Sequence, residues 1–600
     1  MQAYQIQYIE NLKEIASLID IYGFELTEFE DWYQKQSEAK DRVRQLKKEN
    51  IALLNAGLFP ALDDLHNASA QDIADLEEFS DKLMDWSTNL DCGIYILIHD
   101  SLLSLYRFRK DRNGIIRELY KLGMGLFYRQ RMVEGFKTER IRKYRFENEM
   151  VFTEAGSYLK FFEEIDDEQT QGYIIRALAN IAITAVDRKK RVAISSRVLK
   201  ILQDENYRRI APGLPWDVYL RRSYQQMSAN RDTLSRGNLS KEEMTEILEA
   251  CQIVFEPEKD NKDPNIRWLW PYYEMEYSCG FVDLQTTLGR MEQLISDARY
   301  DQYDGSGLYA NVQLPVYYGK LMNDNPSLQS RKKNVEFLRY AYDKMMKTLM
   351  SFPPEKYDDL FRYNVAIVIG GYLEIDGVET YEEITSRLMR KLTGTSYIFS
   401  LRVSEILQAF CDQIFLQEPD FFDDIPFLKE IADAEEKREA LKEYAGKCGL
   451  FYNFGMLSMN MERLRASRNL FEGENEMYQL HTSGAYDSLI ARRSTQRYAD
   501  IAHGHHRWYN EAGGFPEDYV RNESDYRKMT DVTALAVYMA DHCEDDYDQL
   551  LEEIREEEGK RFSPLVSSYL DLSELRERIR SILKKDDREY YRKLYDQLTD

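Results

Sequence analysis

The stretch His503–Pro516 reads HGHHRWYNEAGGFP and holds three of the seven histidines in this 600-residue chain. Five of the seven, His481, His503, His505, His506 and His542, fall in the C-terminal part of the sequence, and histidines placed only as surface filler would not gather this way. Neutral imidazole is the commonest nitrogen donor to zinc, iron and manganese, and carboxylates complete such sites. Asp541, at the end of the helical run VTALAVYMAD, is placed to be that carboxylate. The chemistry on offer is therefore metal-assisted. The following NEAGGFP is a presented turn: Gly513 and Gly514 reach backbone angles closed to other residues, and Pro516 fixes the exit.

A metal site needs elements to hold it, and the pattern of the chain predicts helices throughout. In YIIRALANIAITA the apolar residues Ile174, Ala177, Leu178, Ile181 and Ala182 fall on one helical face, and Ile194, Val198, Ile201 and Leu202 form a second stripe after the charged turn DRKKR. Two such helices cannot bury their faces alone and must stack on neighbours, as in helical repeats. Residues 1–115 read as a charged helical region able to form a long amphipathic hairpin, 116–395 as helix pairs, and 396–600 as a separate helical domain. The repeats resemble tetratricopeptide-type arrays in architecture only, without the fixed 34-residue period. A protein partner bound through this array is the functional expectation, and an inert helical spacer is the alternative. Tyr272 and Tyr273 in WLWPYYEMEY are expected to pack helix pairs.

Composition narrows the function classes. Charged residues make up 31% of the chain, while Pro (14) and Gly (29) are few, which suits an all-α protein. A net charge of -25 disfavours general nucleic-acid binding and anionic membranes, so a phosphate-bearing ligand needs a locally positive site. The six scattered cysteines form no close pair, the N-terminus carries no basic-then-apolar leader, and no long apolar run follows. A cytoplasmic location is expected.

The order of segments after residue 396 resembles the HD-GYP family, whose helical domain binds two or three metal ions and hydrolyses cyclic di-GMP. FSLRVSEILQAF is similar to the family's opening helix, LFYNFGMLSM to the segment that normally reads LHDIGKIGI, and LHTSGAYDSLIA to the helix with an isolated ligand histidine. HHRWYNEAGGFP resembles the paired histidines and DGxGYP loop, and LEEIREEEGKRFSPLVSSYL the family's tail. The resemblance implies His481, His505, His506 and Asp541 as metal ligands, and Asn510, Gly513, Gly514, Phe515 and Pro516 as a loop facing substrate or a GGDEF-type partner. The chain departs from the family where the first histidine would stand (Phe399), at the name-giving His-Asp pair (Tyr452 and Asn453) and at the following lysine (Met456), and it lacks an Arg-containing loop after Asp541.

These departures bear on mechanism. A bridging aspartate offsets the repulsion of two adjacent dications, whereas Asn453 offers only a neutral oxygen, so a two-metal clamp on phosphate is expected to be lost. Three histidines and one aspartate remain able to hold one transition metal, iron, manganese or zinc, and a metal-free domain is the other outcome. No catalytic residue is assigned. The expectation is an N-terminal helical array followed by a degenerate HD-GYP-like domain, acting as a non-catalytic or weakly active signalling module with a protein, GGDEF-type or cyclic dinucleotide partner. The alternative is a metal-dependent phosphodiesterase or other phosphohydrolase. The dipeptide His99-Asp100 lacks neighbouring ligands and reads as chance.

Overall fold

Helix after helix begins on an acidic or hydroxyl side chain that accepts from its first turn. Asp91 does so for Ile94, Asp111 for Gly114, Asp167 for Gln169 and Thr170, and Asp187 for Lys190, while Ser240 and Glu243 form a reciprocal capping box. Each cap satisfies amides that the helix itself cannot, and so fixes where the helix starts. The computed structural model describes all residues except 20–25, 85–88, 232–238, 354–358 and 600. Helix makes up 77% of it, and no strand occurs among the described residues, so the protein is all-α as its composition implied. None of the described helices is long and apolar enough to cross a membrane.

From Cys92–Arg109 through Arg112–Arg131, Thr138–Ser157, Glu168–Thr184 and Arg188–Gln203, each helix packs on the next. Trp216–Ser228 leans back on Arg188–Gln203, then Lys241–Phe255 and Ile266–Ser278 continue the array. The stripe read in YIIRALANIAITA is buried along its whole length, and Val198 and Leu202 of the second stripe are buried as well. The charged DRKKR is not a turn: Asp187 caps, and the basic residues lie in the first turn of the next helix. Tyr272 stacks on Phe255 of the preceding helix, with ring centres 5.7 Å apart, which places it as a packing residue.

The helix Phe29–Leu53 pairs with Ala3–Leu18, through an Asn11–Asn50 hydrogen bond of 2.9 Å, and so makes the hairpin read in the sequence. Its other end does more. Phe29, Trp32 and Tyr33 meet Tyr591 and Tyr595 of the helix Asp587–Thr599, the Arg592 guanidinium lies 3.4 Å above the Phe29 ring, and Lys40 pairs with Asp587 at 2.7 Å. The largest buried cluster accordingly runs from Phe29 to Leu594, and a second joins residues 84–216 to Met456, Met459, Met461, Leu464 and Met477. Side chains from 1–115, 116–395 and 396–600 thus share the same interior.

A fully buried ion cluster ties the array to the C-terminal helices. Arg468 donates to both oxygens of Asp91 and both of Glu474, all at 2.8 Å, and Tyr8 donates to Asp91 at 2.8 Å. Desolvation alone would raise the Asp91 pKa, but the Arg468 charge outweighs it and holds the carboxyl below its ordinary range. His99 is also fully buried, 2.6 Å from Glu118, and serves the interior of the array rather than a metal.

Candidate functional site

His481 stands on the helix Glu472–Leu489, and His505 and His506 follow the short helix Ala499–Gly504, which packs against it. The one-turn helix Phe454–Ser458 also packs on the His481 helix, at Gly455. A Cβ there would lie 1.9 Å from the His481 carbonyl oxygen, so only glycine lets that turn rest on the histidine helix. We expect Gly455→Ala to push turn and helix apart, lowering stability by about 1–3 kcal/mol as other overpacked substitutions do. A thermal melt would check this.

The three imidazoles each place a ring nitrogen within 4.8 Å of the others. His481 Nδ1 lies 2.8 Å from the Tyr478 carbonyl and His505 Nδ1 2.9 Å from the Ala502 carbonyl. A carbonyl only accepts, so both Nδ1 atoms carry the hydrogen, and both Nε2 atoms present bare lone pairs to each other at 3.4 Å. A proton does not fill that gap at neutral pH. Burial lowers the His481 pKa to about 4, and burial together with the neighbouring imidazoles drives that of His505 far down. The pair is therefore in the form that binds metals. In a tetrahedral zinc site, Zn–N bonds of about 2.0–2.1 Å separate neighbouring nitrogens by about 3.3–3.4 Å, the spacing seen here. Carbonyl-anchored Nδ1–H groups are also the usual way a protein aims metal-binding imidazoles. The donor set fits one transition metal.

Asp541 closes the helix Arg527–Asp541 but is not among the groups that converge with the histidines. It is exposed, yet the protein around its carboxyl desolvates it enough to raise its pKa. Of the other clustered histidines, His503 pairs with Asp518 at 3.2 Å and His542 stacks on Tyr538, so five in sequence become three in space.

Of the substituted positions, Tyr452 meets the triad directly. The buried Tyr452 sets its ring edge-on to His505 at 4.9 Å, and desolvation, then the Asp541 charge, pushes its phenol well above the ordinary value, so it stays protonated and supplies no anionic ligand. Asn453 is the N-cap of the Phe454–Ser458 turn, Met456 is buried in the second hydrophobic cluster, and Phe399 packs against the main one. No carboxylate stands among the three converging imidazoles.

The loop Asn510–Pro516 turns toward the triad. Phe515 packs 4.5 Å from the His506 ring and 5.9 Å from His481, its amide donates to the His506 carbonyl, and its peptide to Pro516 is cis. Asn510 is anchored to the turn after Glu557 through Lys560, Gly514 takes φ +71° where its Cβ would strike the His506 carbonyl, and Arg507 donates to the carbonyls of Gly513 and Gly514. Two cations went unread in the sequence. Arg465 acts electrostatically on His481 and Asp541, and Arg561 on His506 and Asp541. Neither lies in the missing loop: one sits in ERLRAS and one in the turn beginning at Gly559, and no spacing rule joins them to the histidines. Compared with models of known families, with curated proteins and with solved structures, the chain finds no match.

Proposed function

We propose that the protein is a cytosolic signalling module whose C-terminal helices form a degenerate HD-GYP-like unit, with a three-histidine centre that holds a single iron, manganese or zinc ion, and that it is non-catalytic or weakly active and works by binding a partner or ligand. The observation that carries this reading is the pair of hydrogen-free Nε2 atoms facing each other at 3.4 Å without a carboxylate among the converging groups. That donor set suits one cation and has no anion to hold a second beside it. The six free cysteines, four of them buried, favour a reducing compartment. The helical array offers the surface for a protein partner, and the Asn510–Pro516 loop the face for a GGDEF-type domain or a cyclic dinucleotide.

Elemental analysis of protein prepared without chelator tests this. One transition metal per chain is expected. His481→Ala or His505→Ala should reduce metal affinity by more than about tenfold, since even the loss of an outer hydrogen bond to a ligand has effects of that order. Two equivalents of metal, or metal unaffected by both substitutions, would refute the single-ion centre. A phosphohydrolase is the second reading, favoured by Arg465 and Arg561, whose charges act on His481 and His506 respectively. Rapid hydrolysis of cyclic di-GMP that disappears in His505→Ala would establish it in place of the first.

A further inference from the structure

The array also forms a partly open cavity of about 1230 Å³, lined by none of the histidines, whose charge is opposite to that of the chain. Among the described residues its wall holds eight arginines, no lysine and one carboxylate, Glu134. The wall draws on the helices Arg112–Arg131, Glu168–Thr184, Trp216–Ser228 and Ile266–Ser278, and is completed from the C-terminal half by Asn460, Arg463 and Leu464. In a protein of net charge -25, so many like charges facing one space form a focused positive field.

The protein itself neutralises only part of this charge. Arg231 is held by Glu274 at 2.8 Å and by the Tyr309 hydroxyl at 2.8 Å, while Glu134 is shared at the edge of ion-pair range by Arg131 (3.9 Å) and Arg145 (4.0 Å). Arg176 and Arg191 have no carboxylate of a described residue within 4.0 Å; neutral groups aim them. Arg176 donates to the Gly172 carbonyl and lies over the rings of Tyr120 and Tyr173 at 4.6 and 4.7 Å. Arg191 is fixed by the Asn230 side chain and the carbonyls of Ala185 and Val186. Desolvation, and then the charges of Arg145 and Arg188, lower its pKa, the mark of a cation placed among cations.

The choice of arginine over lysine is informative. A planar fork meets phosphate oxygens two at a time and stacks on rings, which a lysine ammonium does not. Between the arginines the wall carries Tyr120, Tyr219, Trp268, Tyr317 and Tyr363, with Gln225 and Gln226 offering amides that can both donate and accept. Aromatic faces and amides have no use for a bare inorganic anion but suit a base. The volume lies just above the roughly 300–1,000 Å³ of ordinary small-molecule pockets.

We propose that this cavity binds a small nucleotide carrying at least two phosphate charges, with Arg176 and Arg191 on the phosphates and the ring-bearing wall on the base. The inference does not rest on the histidine centre. No triad histidine lines the cavity, although Arg463, in the wall, shares the helix Glu462–Ser467 with Arg465, whose charge reaches His481.

Isothermal titration of the full chain with ATP, ADP, GTP and GDP, against adenosine, guanosine and tripolyphosphate, tests the assignment. At least one of the four nucleotides should bind with Kd below about 100 µM, with its nucleoside and tripolyphosphate each at least about tenfold weaker. Arg176→Ala and Arg191→Ala should each weaken binding by more than about tenfold, and Arg176→Lys, which keeps the charge but loses the fork, should weaken it too. Should the half-buried Arg176 and Arg191 variants fail to fold, Arg267→Gln, at an exposed position of the same wall, should still weaken nucleotide binding, and unchanged binding there would count against the site. Binding by none of the four nucleotides, tripolyphosphate binding as tightly as nucleotide, or arginine variants that melt and bind like the parent would each overturn it. So would binding lost in His481→Ala and kept in Arg176→Ala, which would move the ligand to the histidines. Metal content is read separately, so either idea can fail while the other stands.

Discussion

A chain ended after Leu570 will show no cooperative thermal unfolding. The helices Ser573–Leu583 and Asp587–Thr599 bury Leu575, Ile579, Tyr590 and Leu594 completely and Ile582, Leu583 and Tyr591 nearly so. Burying one such side chain contributes about 1.5–3 kcal/mol. Seven of them together contribute about 10–21 kcal/mol, as much as or more than the roughly 5–15 kcal/mol by which a folded domain outweighs its unfolded state. The segment SELRERIRSILKKDDREYYRKLYDQL reads as a charged extension able to drive assembly, but its apolar face is already covered by this same chain. Differential scanning calorimetry separates the two: a soluble truncated protein that melts in one transition near the parent temperature would show that these helices are an appendage.

Arg468→Ala will destabilise the protein by about 3–5 kcal/mol, because it strands the buried carboxylates of Asp91 and Glu474 without a cation. The pH dependence should reveal the cause. In the parent, Asp91 has a depressed folded pKa, so its contribution is present above the unfolded value and is lost as acid carries the pH down through the folded one. Without Arg468, desolvation, the largest influence on this carboxyl, is opposed only by the hydrogen bonds from the Ile94 amide and the Tyr8 hydroxyl, so the folded pKa rises and the carboxyl stabilises the fold less, or opposes it, when ionised. The stability gap between parent and variant should therefore narrow as the pH falls from 8 toward 5, measured by urea unfolding. A gap constant over that range would mean the loss is one of packing alone. Replacing all three residues by apolar ones should restore most of the stability, since a well-packed apolar cluster commonly matches a buried ion cluster.

The sequence made the helical architecture plain because periodicity of apolar residues is local, and Ile174, Ala177, Leu178 and Ile181 are buried as their spacing required. Helix starts were equally open to reading wherever an aspartate or serine precedes the run. Three of the four ligands that segment order implied, His481, His505 and His506, come together in the fold: two are neighbours in sequence, and the packing of Ala499–Gly504 on Glu472–Leu489 brings His481 to them. Asp541, at a helix end, and His503, inside the helix Ala499–Gly504 and paired with Asp518, are of ligand-forming types but do not converge with the triad. The arginine cavity left no trace at all: its members are spread from Arg131 to Arg463, and the stacking of the array alone brings them to one wall.

The clasp between Phe29–Leu53 and the last helix has a bearing on how the protein is made. The Tyr595 hydroxyl donates to the Thr27 carbonyl across 568 residues of chain. At ribosomal rates of about 5–20 residues per second, the early helix waits about half a minute to two minutes for its partner to emerge. Throughout that interval Phe29, Trp32 and Tyr33 lie bare on a nascent polypeptide. Closure of this clasp thus comes late, after hundreds of further residues have been made, and the growing chain is a natural client for chaperones that shield aromatic surface.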